Sequence, residues 1–115
     1  MAKAVYNPKH KEVIDPILLS MPGVVSGKMF GYPAYYVNGK LFACLYENGI
    51  GIKIPEPMAN DLVGKDGITH FVPLGRKKMR EWIQIDRDRS EEYMKDEPIF
   101  QTSVEYVSSI GEKKK

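Results

Sequence analysis

Two Asn-Gly dipeptides, Asn38-Gly39 and Asn48-Gly49, sit mid-chain with apolar, β-branched and aromatic residues on both sides. Asn and Gly tolerate the left-handed backbone that both central positions of a type I′ turn demand, and that turn's twist matches the strands it joins. Each dipeptide therefore predicts a tight hairpin. Strands are expected at Val24–Phe30, Ala34–Val37, Lys40–Glu47 and Gly49–Ile54. Gly31-Tyr32-Pro33 interrupts the first two, because proline cannot donate to a central ladder and glycine invites a bulge. In the last of these strands Ile50, Ile52 and Ile54 share one face, while Gly51 and Lys53 share the other. Along Lys40–Glu47 both faces are apolar: Phe42, Cys44 and Tyr46 alternate with Leu41, Ala43 and Leu45. A sheet that is apolar on both sides needs a cover on each.

The flanks supply helices. Asn7-Pro8 is a capping residue followed by proline at the first helical position, and Val13, Ile14, Ile17, Leu18 and Met21 form an apolar stripe. Pro16 is expected to kink this helix or restart it with Asp15 as cap, and Met21-Pro22-Gly23 ends it. Pro55-Glu56-Pro57 opens a short helix to Val63, with Gly64 as its C-terminal cap. Ile68–Val72 and Arg80–Asp86 read as two more strands, the second with Trp82 and Gln84 opposite Ile83 and Ile85. Asp96-Glu97-Pro98 starts a final helix that ends near Ile110-Gly111, with Phe100, Val104 and Val107 on its inner face. There is no room for parallel crossovers between the early strands. The expected fold is therefore two-layer α+β, an antiparallel sheet of about five or six strands with helices on one face, in the order α-β-β-β(-β)-α-β-β-α. Residues 1–111 form one domain and residues 112–115 a disordered lysine-rich tail.

Charge narrows the function classes. The 115 residues carry a formal net charge of +2 from 17 bases and 15 acids. Without Lys113, Lys114 and Lys115 the chain holds 14 bases against 15 acids, a net of −1. That weighs against a broad phosphate-binding face. Cys44 is the only cysteine, which excludes an intrachain disulfide and fits a reducing compartment. No apolar run approaches the roughly 20 residues of a membrane helix. A soluble cytoplasmic protein is expected.

No assembled chemistry stands out. Gly49-Ile50-Gly51 and Gly64-Lys65-Asp66-Gly67 lack the spacing of a phosphate-binding loop and read as turns. His10, His70 and Cys44 have no metal-ligand spacing, and Cys44, inside Leu41–Leu45, reads as a small buried hydrophobe rather than a nucleophile. Asp86-Arg87-Asp88-Arg89 has the look of a solvated loop. No catalytic, cofactor-binding or metal-ligating residue is therefore expected. Arg76, Lys77, Lys78 and Arg80, with Trp82 close by, form a basic cluster suited either to nucleic acid or to an ordinary exposed loop. Phe30, Tyr32, Tyr35 and Tyr36 with Lys28 suit either a stacking platform or sheet packing.

As a whole, KMFGYPAYYVNGKLFACL, then GIGIKIPE, then GRKKMREWIQID and a helix after DEP, resembles the TfoX N-terminal domain family, named after bacterial regulators of natural competence. The resemblance runs from about Val25 to Ile110. Its most specific piece is Lys28-Met29-Phe30-Gly31, followed by Gly75-Arg76 and Met79-Arg80-Glu81. It implies a secretion-chaperone-like α+β domain without cofactor or established active site, standing alone without the second helical domain of the competence regulators. The function expected is a non-catalytic interaction or regulatory module. It would work with a protein partner or as a homodimer, through Lys28, Met29, Phe30, Gly31, Arg76, Lys77, Lys78, Arg80 and Trp82. Nucleic-acid binding through Arg76–Arg80 is the alternative, and a small enzyme or ligand-binding protein ranks last.

Overall fold

A computed structural model describes residues 6–29, 31–65, 67–71 and 80–113, with side chains to residue 109. Helix α1 (Pro8–Leu19) begins where Asn7 Oδ1 accepts the Lys9 backbone N–H at 2.9 Å and Pro8 fills the first turn, where its missing donor costs nothing. Pro16 lies inside this single helix and removes the hydrogen bond to the Glu12 carbonyl without restarting the chain. Asp15 is therefore not a cap. His10, Ile14 and Leu18, four residues apart, are the buried face of α1.

Six strands form: β1 (Val24–Met29), β2 (Tyr32–Val37), β3 (Lys40–Tyr46), β4 (Gly49–Lys53), β5 (Ile68–His70) and β6 (Trp82–Asp86). Tyr32 and Pro33 belong to β2 and pair with Met29 and Lys28 instead of interrupting the strands, and β5 ends at His70, short of the expected Val72. They form one antiparallel sheet in the order β1-β2-β3-β4-β6-β5. Helix α2 (Glu56–Leu62) links β4 to β5, and the last helix, α3 (Glu97–Lys113), runs past the expected end at Ile110-Gly111 and takes in residues 112 and 113 of the segment expected to be a disordered tail. The expected α+β architecture is what the chain adopts.

The two Asn-Gly pairs do different work. Asn38 (φ +54°) and Gly39 (φ +77°) form the two-residue turn between β2 and β3, with Val37 paired to Lys40. At the second pair the turn sits one residue earlier. Tyr46 pairs with Gly49, so Glu47 (φ +53°) and Asn48 make the corner and Gly49 belongs to β4. Glycine is needed there for a close approach: a Cβ at Gly49 would lie 2.5 Å from the Ile85 carbonyl oxygen of β6.

Along β3 the simple alternation fails. Tyr35 pairs with Ala43 and Tyr36 with Leu41, which leaves Phe42 as the extra residue of a β-bulge. Phe42, Ala43 and Leu45 consequently all pack toward the helices, while Leu41, Cys44 and Tyr46 take the opposite face. The helix-side core joins these to Ile50, Ile52, Ile83 and Ile85 from the sheet, Ile54 just past β4, Ile14 and Leu18 from α1, and Phe100, Val104 and Val107 from α3.

The second face closes with aromatic rings. After β5 the chain departs at Phe71, whose ring lies over Gly51 of β4. Neighbouring centroids run Tyr32–Tyr46 at 5.0 Å, Tyr46–Phe71 at 5.4 Å and Phe71–Trp82 at 5.5 Å. Each such contact contributes about 0.5–1.5 kcal/mol beyond area burial. A Cβ on Gly51 would stand 2.7 Å from the Phe71 ring, so glycine makes the seat for this cover.

Between β6 and α3 the expected solvated loop is instead an anchored corner. Ser90–Asp96 forms a 3₁₀ segment, and Arg87 is buried with only 6% of its surface exposed. Its guanidinium grips Asp96 through two bonds, Nη2 to Oδ1 at 2.6 Å and Nε to Oδ2 at 2.9 Å. Acid-base alternation looked like surface because the partner stands nine residues away, across a turn. Tyr93, also fully buried, donates its hydroxyl proton to the Ile85 carbonyl at 3.3 Å, and the phenol oxygen lies 3.1 Å from His10 Nδ1. Burial lowers the His10 pKa below its usual 6.5, with the Asp86 charge opposing.

Two outcomes follow from this packing. Gly51→Ala should cost about 1–3 kcal/mol in chemical denaturation, and less in a Phe71→Leu background, because the clash is with that ring. Buried His10 resists protonation in the folded state, whereas the unfolded chain accepts a proton near 6.5, so stability should be level above that pH and fall as pH drops below it. Denaturation curves between about pH 7 and pH 5 should show this slope in the native chain and a shallower one in His10→Gln.

Candidate functional site at the β1 edge

β1 forms one edge of the sheet, and no strand among the described residues pairs with its outer side. Val25, Ser26, Gly27 and Lys28 are all exposed, Val25 to 58%. The opposite edge, β5, is only three residues long. Short edges are a common protection against unwanted strand pairing, and β1 lacks that protection. Alternate residues of an edge strand direct their N–H and C=O groups outward, so β1 offers a backbone ladder.

Its side chains divide between the two faces. Val25, Gly27 and Met29 lie opposite Tyr36, Ala34 and Tyr32, on the aromatic side. The Tyr36 ring passes over Gly27, where a Cβ would meet it at 2.9 Å, and its hydroxyl donates to the Lys28 carbonyl at 3.1 Å. Ser26 and Lys28 lie opposite Tyr35 and Pro33, on the side that α1 covers.

Under that side is a cleft of about 440 Å³ between α1 and the β1–β2 hairpin, with Lys11, Asp15, Ser26, Lys28, Gly31 and Tyr35 in its lining. Tyr35 is buried and gives its hydroxyl proton to Asp15 Oδ1, while Lys11 Nζ donates to Asp15 Oδ2 at 2.7 Å. Burial first, and the Asp15 carboxylate second, push the Tyr35 pKa far above that of a free phenol. Asp15 thus ties α1 to β2 and uses one oxygen for each partner. Gly31, at φ +86°, turns the chain at the lip of the cleft in a conformation that other residues rarely adopt.

The expected surface residues are scattered. Lys28 is exposed on β1 and lines the cleft with Gly31, whereas Met29 is half-buried against the aromatic face on the other side. Phe30, Arg76, Lys77 and Lys78 lie outside the described residues. Arg80 is exposed just before β6, but Trp82 is buried under Phe71 and presents no free ring. Four strand spacings separate β1 from β6, roughly 19 Å, so Lys28 and Arg80 do not share one surface. Tyr32 and Tyr35 are buried as well, which leaves Tyr36 alone among the described members of the stacking platform with its ring half-exposed.

Lys11, Asp15 and Ser26 were not among the expected site residues. The signal for the first two was available as a four-residue Lys-to-Asp spacing on α1, hidden by the competing capping role that precedes Pro16. Cys44, His10 and His70 do not assemble. Cys44 is buried on the aromatic face, His10 packs in the helical layer against Tyr93, and His70 sits at the far edge on β5. No family model, curated protein or solved structure matches the chain.

Tyr35→Phe should lower stability by about 1–2 kcal/mol, the effect of removing a hydrogen bond to a charged acceptor that is partly wet. Tyr36→Phe, whose hydroxyl is exposed, should lower it by less than about 0.5 kcal/mol. Equilibrium unfolding of the two variants in parallel checks both.

Proposed function

We propose that the chain is a non-catalytic cytoplasmic interaction module that receives an extended segment of a protein partner, or of a second copy of itself, along β1. The observation that carries this reading is the six-residue outer edge with four consecutive exposed positions, in a sheet whose faces are otherwise occupied. Strand addition takes affinity from main-chain hydrogen bonds and specificity from alternate side chains, and β1 offers both in Val25, Ser26 and Lys28. The sole cysteine is buried, with its pKa pushed up to about 12, so it supplies no thiolate for chemistry. The resemblance to the TfoX N-terminal domain adds a regulatory role to the proposal and rests on the sequence pattern from about Val25 to Ile110, most specifically Lys28–Gly31 and Gly75–Glu81.

Nucleic-acid binding through Arg76–Arg80 is the weaker reading, because the nearest aromatic, Trp82, is held under Phe71 and the body carries no positive excess.

Selection from a displayed library of random extended peptides should enrich ligands that perturb the amide resonances of Val24–Met29. A Ser26→Pro variant, which removes a donor from β1, should lose them. Ligands that perturb only β5 or the helices, or a library that yields none while the chain stays monomeric at millimolar concentration, would contradict the proposal.

A further inference from the structure

The cleft beside β1 has a chemistry of its own, independent of any strand added to the edge. Its two lysines and one aspartate leave a net positive charge of one. Both Asp15 oxygens already accept a hydrogen, from Tyr35 and from Lys11. The Lys28 ammonium and the Ser26 hydroxyl have no hydrogen-bond or ion-pair partner among the described residues, and they project from the same side of β1. Lys11 keeps two further N–H groups beyond the one on Asp15. Donors in excess of acceptors, with one uncompensated cation, are the complement of a monoanion. The buried Pro33, on the same side of the sheet, provides an apolar wall next to these donors. The volume of about 440 Å³ lies in the range of small-ligand sites.

We propose that this cleft binds a carboxylate attached to an apolar group, with Lys28 and Ser26 holding the carboxylate, Lys11 supporting it, and the apolar part resting on Pro33. A diffuse surface patch would lack the wall. A phosphate dianion would fit less well, since the one uncompensated charge is matched by one carboxylate. Both a small free acid and the C-terminal residue of a peptide carry this chemistry.

Titration of the isotopically labelled full chain with benzoate, followed by amide shifts, tests the proposal. Saturable shifts are expected at Ser26, Lys28 and Tyr35, and benzamide, of the same shape without the charge, should produce none. Lys28→Gln, an exposed change that leaves the core intact, should weaken benzoate binding by about ten-fold or more. N-acetyl-glycyl-phenylalanine with a free C-terminus, compared with its C-terminal amide, separates the sources. Tighter binding of the free-acid peptide than of benzoate assigns the cleft to a peptide terminus, and the reverse assigns it to a small acid. Equal shifts with benzoate and benzamide, or benzoate binding unchanged in Lys28→Gln, would overturn it. Loss of peptides selected against the β1 backbone would leave this titration untouched, so the two ideas fail separately.

Discussion

The β3–β4 ribbon is apolar on both faces, and the rest of the molecule is arranged to keep water from each. Ile50 and Ile52 point to the helices, while Cys44 and Tyr46 point away. Leaving either set wet would forfeit about 1.5–3 kcal/mol for each large side chain. Helices α1, α2 and α3 cover one face in the usual manner of a two-layer fold. On the other, Phe71, the residue after β5, sets its ring on Gly51, between Tyr46 and Trp82. With both faces occupied, β1 is the longer exposed sheet edge among the described residues, and the proposed recognition is placed there.

Polar side chains then fix how the covers sit. Arg87–Asp96 clamps the corner that turns β6 into α3, Tyr93 links that corner to α1 through His10, and Asp15 binds α1 back to Tyr35 in β2. A buried ion pair adds little net stability over a hydrophobic replacement, but losing one partner is costly because the other charge remains buried. These contacts therefore act mainly to select one arrangement of helices over the sheet. They also shape the cleft, since the same Asp15 that joins α1 to β2 neutralises Lys11 and leaves Lys28 unmatched.

Much of the architecture was legible locally. The Asn7 helix cap, the Asn38-Gly39 turn, the Ile50–Ile54 alternation and the division of Trp82 from Ile83 are short-range patterns, and each appears in the fold. What could not be read depended on distant partners. The bulge at Phe42 exists because β2 pairs across it, Gly49 is a strand glycine because β6 crowds it, and Arg87 is buried because Asp96 comes back to meet it. The site was half legible: Lys28 and Gly31 stood out in sequence, whereas Lys11, Asp15 and Ser26 became neighbours only when α1 docked on the hairpin.

Because Cys44 lies on the aromatic face, has no exposed surface and has its pKa pushed up to about 12 by burial, its thiol reports directly on whether that face is closed. Labelling of the native chain with an aromatic disulfide reagent at neutral pH is the measurement. If the Phe71 cover is as described, reaction should proceed only as fast as the protein unfolds and should accelerate with denaturant. Complete labelling within seconds in native buffer, with the fold intact by circular dichroism, would mean that the second face is open. The assignment of recognition to the β1 edge would then lose its basis.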